Sequence, residues 1–391
     1  MEKDFIVVVY APKEDSFGVF CFCGVKPLDE ERYMREALRL ASNGRGRTSP
    51  NPMVGAVLVR DGRIVGAGWH RKAGTEHAEI HALRMAGDLA RGATLYVTLE
   101  PCSHTGRTGP CAQAVIEAGV RRVVAAMEDP NPLVRGSGFQ MLREGGVEVS
   151  CGLLEEEARR LNEAFVVWVT EKRPFVTLKM AMTLDGKTAT AGGESKWITG
   201  EAARLRGHVL RDENDAILVG IGTVLADRPS LTTRLPEGDG KNPLRVILDS
   251  KARTPLDVSM LKDGAAPVLI ATTEGAPEEN LRRLREAGAE ILTAGQGPSV
   301  DLPVLLRKLG ERNICSLLVE GGSTVHFSFL SAGLADKVCA FIAPMLVGGR
   351  DAVPAVGGDG FSRLADAARL TDIKTEMVGK DFCMSGYIVK E

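Results

Sequence analysis

Twice along this chain, short apolar runs alternate with amphipathic helical stretches, and that alternation allows little besides sheets covered by helices. In the first series, the stripe Tyr33, Met34, Ala37, Leu38 and Ala41 predicts a helix capped by Asp29 and ending at Gly44. Residues 54–59 and 64–67 flank Asp61-Gly62, a strong two-residue hairpin signal. Next come a helix over about 77–86 stopped by Gly87, a strand over 93–99, and a helix starting at Pro110 and stopped by Gly119. A strand over 122–126 and a helix near 139–144 complete this unit. Leu154, Ala158, Leu161, Phe165 and Trp168 recur at helical spacing and predict one connector helix. Lys172-Arg173-Pro174 ends it, because proline disfavours helix in the residue before it. Beyond this boundary the alternation resumes, with strands expected over 175–182, 216–219, 245–248, 268–271, 314–319 and 337–342. Runs such as Ala216-Ile217-Leu218-Val219 suit strands buried on both faces of a sheet. The chain contains no internal repeat and no low-complexity tract.

Two domains also fit the length, since 391 residues divided by ~150 per domain gives about 2.6. Lysine plus arginine (49) nearly balance aspartate plus glutamate (51), and aromatics are 5% of residues. A nucleic-acid-wrapping protein normally shows a basic excess, and a base-stacking platform needs more rings. No apolar run approaches the ~18 residues needed to span a bilayer. The first 25 residues open with Glu2, Lys3 and Asp4 and are broken by Lys13, Glu14 and Asp15, unlike a secretory signal. Eight cysteines lie scattered without framework spacing, which predicts reduced thiols in a cytoplasmic protein. Composition therefore points to small-molecule chemistry.

Four of the six histidines (His70, His77, His81 and His104) fall within 35 residues, gathering groups that bind metals or shuttle protons. His77-Ala78-Glu79, Pro101-Cys102 and Cys111 carry the chemistry. One imidazole and two thiolates suit Zn2+, and three protein ligands leave a fourth tetrahedral position for water, the mark of a catalytic site. Zinc brings such a water to a pKa near 7. A carboxylate that is not a ligand must then move protons, and Glu79, two residues from His77, is the candidate. Cys111 follows Pro110 at the start of a helix, a location that favours the thiolate. The alternatives are a structural site with His104 as fourth ligand, and a metalloprotease helix bearing His77 and His81. The second fails on spacing, because alanine rather than glutamate follows His77. His81 is read as a packing residue or one that supports the ligands from behind.

With these residues in hand, the sequence resembles the zinc-dependent nucleoside and base deaminases, which share His-x-Glu and Pro-Cys. Most of that superfamily places two residues between the cysteines, whereas eight intervene here, 103–110. Glu100-Pro101-Cys102-Ser103-His104-Thr105-Gly106-Arg107-Thr108, with Pro50-Asn51-Pro52 and His77-Ala78-Glu79-Ile80-His81-Ala82-Leu83, is similar to the bifunctional riboflavin-biosynthesis deaminase/reductase family. The resemblance implies a cytidine-deaminase-like α/β/α domain over 28–172 that removes ammonia from a phosphorylated ribosylaminopyrimidine. Asn51, His70, His104 and Arg107 would contact that substrate; donors and glycines in the insertion also suit an anionic phosphate.

The second half is physically plainer. Gly220-Ile221-Gly222 follows a strand, but Leu225 stands where a dinucleotide fingerprint has its third glycine. Leu317-Leu318-Val319-Glu320-Gly321-Gly322-Ser323-Thr324 is a strand feeding glycines and a helix, with Ser323 as the expected cap. The same family resemblance extends over Leu178–Lys187 as Leu178-Lys179-Met180-Ala181-Met182-Thr183-Leu184-Asp185-Gly186-Lys187, then over Gly193-Glu194-Ser195-Lys196-Trp197-Ile198-Thr199 and Gly222-Thr223-Val224-Leu225-Ala226-Asp227. It implies a dihydrofolate-reductase-like α/β domain over 173–391 that uses NADPH to reduce the ribose to a ribityl chain. By position, Ala181, Trp197, Thr223, Asp227, Ser250 and the turn Gly322, Ser323 and Thr324 running on to Ser328 would line the cofactor. Ser195, Arg211, Leu231, Arg234 and Glu320 would contact substrate, with the two arginines as phosphate partners. Lys179, a charge inside an apolar strand, is expected beside substrate or cofactor. A homo-oligomer is expected, without nucleic-acid or membrane partners.

Residues 1–27 match nothing in the family and are expected to be an added leader, with the natural start downstream. One rival function is a nucleic-acid-editing zinc deaminase with an RNA-binding second domain. The other is a non-enzymatic, zinc-stabilised binding module.

Overall fold

The computed structural model describes residues 30–390 apart from 104–108, 133 and 239. His104, Arg107, the cap at Asp29 and the leader at 1–27 therefore lie outside the described residues.

The first unit is α1 (Glu30–Ser42), β1 (Gly55–Arg60), β2 (Arg63–Trp69), α2 (Ala78–Ala86), β3 (Thr94–Val97), α3 (Cys111–Glu117), β4 (Arg122–Ala125), α4 (Ser137–Glu144) and β5 (Glu148–Cys151). Its five strands run in the order β2-β1-β3-β4-β5, with β3, β4 and β5 parallel and β1 antiparallel to both neighbours. The Asp61-Gly62 turn forms as the residue types require: both have positive φ, 52° and 73°, which matches a type I′ hairpin turn. The Tyr33 hydroxyl donates to Gly62 O at 2.9 Å and ties α1 to that turn. One apolar cluster under α2, α3 and α4 includes Leu58, Leu95, Val115, Val123, Phe139 and Leu142. A second, under α1, includes Met34, Leu38, Val57, Tyr96, Val124 and Met127. Helices thus cover both faces of the sheet.

The connector departs from expectation. It is two helices, α5 (Glu155–Leu161) and α6 (Glu163–Glu171), broken at Asn162. Asn162 gives its side chain to tertiary bonds: Oδ1 accepts from Met53 N at 2.7 Å and Nδ2 donates to Met53 O at 2.9 Å. A buried asparagine holding a distant backbone group outweighs one more helical turn.

The second unit contains β6 (Phe175–Thr183), β7 (Lys187–Ala189), α7 (Glu201–Glu213), β8 (Ala216–Gly220), α8 (Ile221–Asp227), β9 (Leu244–Leu248), β10 (Val268–Thr272), α9 (Glu278–Glu286), β11 (Glu290–Thr293), α10 (Leu302–Glu311) and β12 (Ser316–Gly321). It ends with α11 (Ser323–Ser331), β13 (Lys337–Ala343), β14 (Val353–Pro354), β15 (Leu370–Val378) and β16 (Asp381–Ile388). Nine strands form one sheet, β11-β10-β9-β8-β12-β6-β13-β16-β15, parallel except where β16 pairs with β13 and β15. Every residue of β8 and β10 is buried, as their apolar runs require. The residues that follow β8, β9 and β12 therefore share one edge of the sheet, where ligands bind in open α/β folds. The α11 cap is a further correction: Gly322 occupies the N-cap and Ser323 is the first helical residue, with no side-chain capping bond.

Side-chain bonds join the two units. Ser49 Oγ donates to Asp215 Oδ2 at 2.7 Å, and Trp168 Nε1 donates to Gly310 O at 2.9 Å.

Two candidate active sites

The first site gathers around two helix starts. His77 is the N-cap of α2, and Glu79 follows in its first turn. Cys111 is the first residue of α3; Pro110 stands one place earlier than expected, at the cap. Cys102 lies on the loop that leaves the C-terminal end of β3. His77 Nδ1 is 3.3 Å from Cys111 Sγ and 3.6 Å from Cys102 Sγ, and all three donor atoms lie within 4.8 Å of one another. Tetrahedral zinc with ordinary Zn–S and Zn–N bonds needs donor separations of about 3.5 Å. The residues present therefore fit Zn2+, which His77 Nδ1 and the two sulfurs would hold.

The electrostatics of this cluster turn on its two sulfurs. Two adjacent thiolates repel one another, so without a cation one sulfur of the pair holds a proton that a bound cation would displace. The hydrogen bond with Cys102 and burial push the Cys111 thiol up, while the hydrogen bond from Cys111 holds Cys102 well below the usual thiol range. Cys111 N–H also donates to Cys102 Sγ at 3.3 Å. The start of α3 thus stabilises the neighbouring sulfur. Glu79 is 3% exposed, and burial followed by the charge of Cys102 pushes it up to about 7. A carboxyl near neutrality can both accept and return a proton.

Asn51 and His70 extend this site. Asn51 Nδ2 and His70 Nε2 are 3.2 Å apart, and the His70 ring meets the His77 ring edge-on, centroids 5.4 Å apart. His70 Nδ1 lies 3.1 Å from Glu76 O. Burial lowers His70, so the neutral ring donates from Nδ1 to that carbonyl and accepts the Asn51 amide N–H at Nε2. His81 is outside the metal cluster, half-buried with Nδ1 3.9 Å from Glu76 Oε2.

The second site lies at the sheet edge. Thr223, on α8, accepts from Gly322 N through Oγ1 at 3.1 Å, joining the turns after β8 and β12. Ser250 follows β9, and its carbonyl accepts from the hydroxyls of Thr272 and Thr273. Ser195 Oγ donates to Asp227 Oδ1 at 3.2 Å. Trp197 is 66% exposed with Arg204 4.7 Å over its ring, leaving much of its face open. Ala181 and Lys179 share a face of β6, and Lys179 Nζ lies 6.0 Å from the Phe341 ring centre.

Glu320 and Arg211, both expected to meet substrate, meet each other. Arg211 Nε and Nη2 donate to the two Glu320 oxygens at 2.8 and 2.7 Å, and Nη1 donates to Thr232 O at 2.9 Å. Burial opposes charge on Glu320, but Arg211 and then Lys179 hold it at about 2. Arg234 is exposed, with Nε 3.4 Å from His208 Nε2, and is the freer cation for a phosphate. Leu231, at φ 52°, is buried in the apolar cluster with Ile217 and Val219. Sequence reasoning missed His208; its spacing of three from Arg211 along a helix was the available signal.

Comparison with known proteins follows this division. Residues 174–384 match the model of the RibD C-terminal domain, and 28–127 match the cytidine and deoxycytidylate deaminase zinc-binding region. The riboflavin biosynthesis protein RibD of Bacillus amyloliquefaciens is 48% identical, over 90% of this chain and 94% of its own. That of Escherichia coli strain K12 is 43% identical, over 91% and 99%. The chain belongs to the RibD family. Among solved structures, RibD of Acinetobacter baumannii superposes with a TM-score of 0.84 at 39% identity, covering 92% of this chain and 99% of that one. A Thermotoga maritima diaminohydroxyphosphoribosylaminopyrimidine deaminase/5-amino-6-(5-phosphoribosylamino)uracil reductase gives 0.80 at 41%, covering 92% and 98%. As a RibD, the chain is a bifunctional enzyme of riboflavin biosynthesis, a zinc deaminase joined to an NADPH-dependent reductase. Its fold is accordingly a deaminase domain followed by a reductase domain, and the binding-module rival falls away.

Proposed function

We propose that the two sites act in order on one phosphorylated pyrimidine, 2,5-diamino-6-(5-phosphoribosylamino)pyrimidin-4-one: hydrolytic deamination in the domain over 28–172, then reduction of the ribosyl chain in the domain over 173–391. The carrying observation is the convergence of His77 Nδ1, Cys102 Sγ and Cys111 Sγ within 4.8 Å beside the buried Glu79. Zinc, when bound to those three atoms, supplies a water activated for attack near neutrality. Glu79 would take one proton from the attacking water and pass it to the ring nitrogen, then carry a second, from the hydroxyl formed at the attacked carbon, to the departing amine, which leaves as ammonia. The Asn51 amide, steadied by His70, presents its other N–H and its carbonyl oxygen to the pyrimidine edge. His104 and Arg107 complete the substrate contacts.

In the reductase half, NADPH when bound would supply the hydride for reduction of the ribosyl carbon. Ala181, Trp197, Thr223, Asp227, Ser250, Gly322, Ser323 and Thr324 line the cofactor cleft. Ser195, Arg234 and Lys179 face the substrate, with Leu231 behind them in the apolar cluster, while Arg211 orients Glu320 toward it. Other partners are read more coarsely. The six described cysteines are free thiols, which supports a cytoplasmic setting, and no described helix is long and apolar enough to cross a membrane. The exposed edge strand β15 supports a homo-oligomer. Near-balanced charge supports a small-molecule substrate in preference to nucleic acid.

The test is Glu79→Gln. Expected are retained zinc, ammonia release lowered by at least about a hundredfold, and unchanged NADPH oxidation on the pre-deaminated substrate. Equal loss of both activities contradicts two separate sites.

A further inference from the structure

Glu100 is a buried carboxylate two residues before the ligand Cys102, and none of the chemistry above uses it. It is 6% exposed and accepts four backbone N–H groups. Asp129 N and Gly136 N donate to Oε2 at 3.1 and 3.0 Å. Gly138 N and Phe139 N donate to Oε1 at 2.8 and 3.2 Å. Gly138 and Phe139 are the second and third residues of α4, whose leading N–H groups have no partner within the helix.

The same helix start touches the chain on both sides of the ligand. A Cβ at Gly138 would lie 1.9 Å from Pro101 O, so the two backbones are in direct contact. Ser103 Oγ and Ser137 Oγ are 2.6 Å apart. Glu100 N donates to Met127 O at 3.0 Å, so its own backbone is tied as well. Cys102 is thus held between anchored neighbours. Its carbonyl accepts from Ala112 N at 3.1 Å, which sets the sulfur against the start of α3.

Burying a charge is costly, and a neutral cap would satisfy a helix start more cheaply. What four charge-assisted bonds add is a backbone that cannot drift, and a metal site tolerates only about 0.5 Å of drift. We infer that Glu100 is a positioning residue of the zinc site: by clamping the loop 100–103 to the start of α4, it holds Cys102 Sγ at metal-binding distance from His77 and Cys111. The inference rests on the zinc-deaminase reading above.

Glu100→Gln is nearly isosteric but turns an amide N–H toward two of the four donors. In the full-length protein, zinc affinity is measured by competition with a chromophoric chelator, and the visible band of the cobalt(II)-substituted protein is recorded. Expected are zinc affinity lower by about tenfold or more, a cobalt band altered in intensity or position, and unchanged NADPH oxidation on deaminated substrate. Glu100→Asp, which keeps the charge one methylene short, should fall between the two, and carries the test if Glu100→Gln does not accumulate folded. Wild-type affinity and an unaltered cobalt band in the variants would overturn the positioning role, even with a lowered melting temperature, since that is what a merely structural cap gives. Failure of the wild type to take up zinc would instead defeat the deaminase reading, and this inference with it.

Discussion

Single side chains show how far residue type alone predicts chemistry. His77, Glu79, Cys102 and Cys111 were legible because zinc chemistry demands one imidazole, two sulfurs and a spare carboxylate, and few other combinations make sense at that spacing. Arg211 was half legible. A cation in a phosphate-handling enzyme suggests a phosphate, but the bidentate pair with Glu320 occupies its fork. Removing one member of such a buried pair leaves the other charge uncompensated. Arg211→Met should therefore cost the second domain about 3–5 kcal/mol by chemical denaturation, with zinc uptake unchanged. The pair also has a pH signature. Glu320 is depressed from 4.5 to about 2, so its contribution is complete above 4.5 and is lost as the pH falls through 2. The stability gap between the wild type and Glu320→Gln should be widest above pH 4.5 and close progressively on acidification; a gap that widens in acid would refute the assignment.

At the scale of elements, the hairpin β1–β2 was readable because only residues tolerant of positive φ make its turn, and Asp61-Gly62 is such a pair. The core strands β8 and β10 were readable from unbroken apolar runs. Strand β15 was not. Leu370–Val378 mixes polar and apolar residues and is exposed along nearly its whole length, so no periodicity marks it; hydrogen bonding to β16 makes it a strand. The break at Asn162 was equally invisible, because its cause is Met53, far away in the chain. Some element contacts leave no room for a methyl group. At Gly55 a Cβ would lie 1.9 Å from Ala37 O, backbone against backbone, where α1 crosses β1. Gly55→Ala should destabilise the first domain by about 1–3 kcal/mol or more, read as a lower denaturation midpoint, whereas Gly146→Ala, with nothing within 4 Å, should show only the smaller strain of its φ of 80°.

For the whole molecule, a five-stranded and a nine-stranded sheet with separate cores imply two separable stabilities. Metal that binds only the folded state stabilises it by mass action. Chelation of zinc should therefore lower the melting of the first domain and abolish ammonia release, while NADPH oxidation on deaminated substrate survives; a single shared transition that moves as a whole would show tighter coupling through Ser49–Asp215 and Trp168–Gly310. Alternation of strand and helix, turn chemistry and the ligand set are written locally, in periodicity and residue type, and these determined the α/β class, the two-part organisation and the zinc chemistry without coordinates. Strand order in the nine-stranded sheet, the Arg211–Glu320 pair and the clamp at Glu100 belong to tertiary structure alone. Each depends on groups brought together across long stretches of chain, 109 residues apart for Arg211 and Glu320, where a one-dimensional pattern has no way to say which of many possible partners will be met.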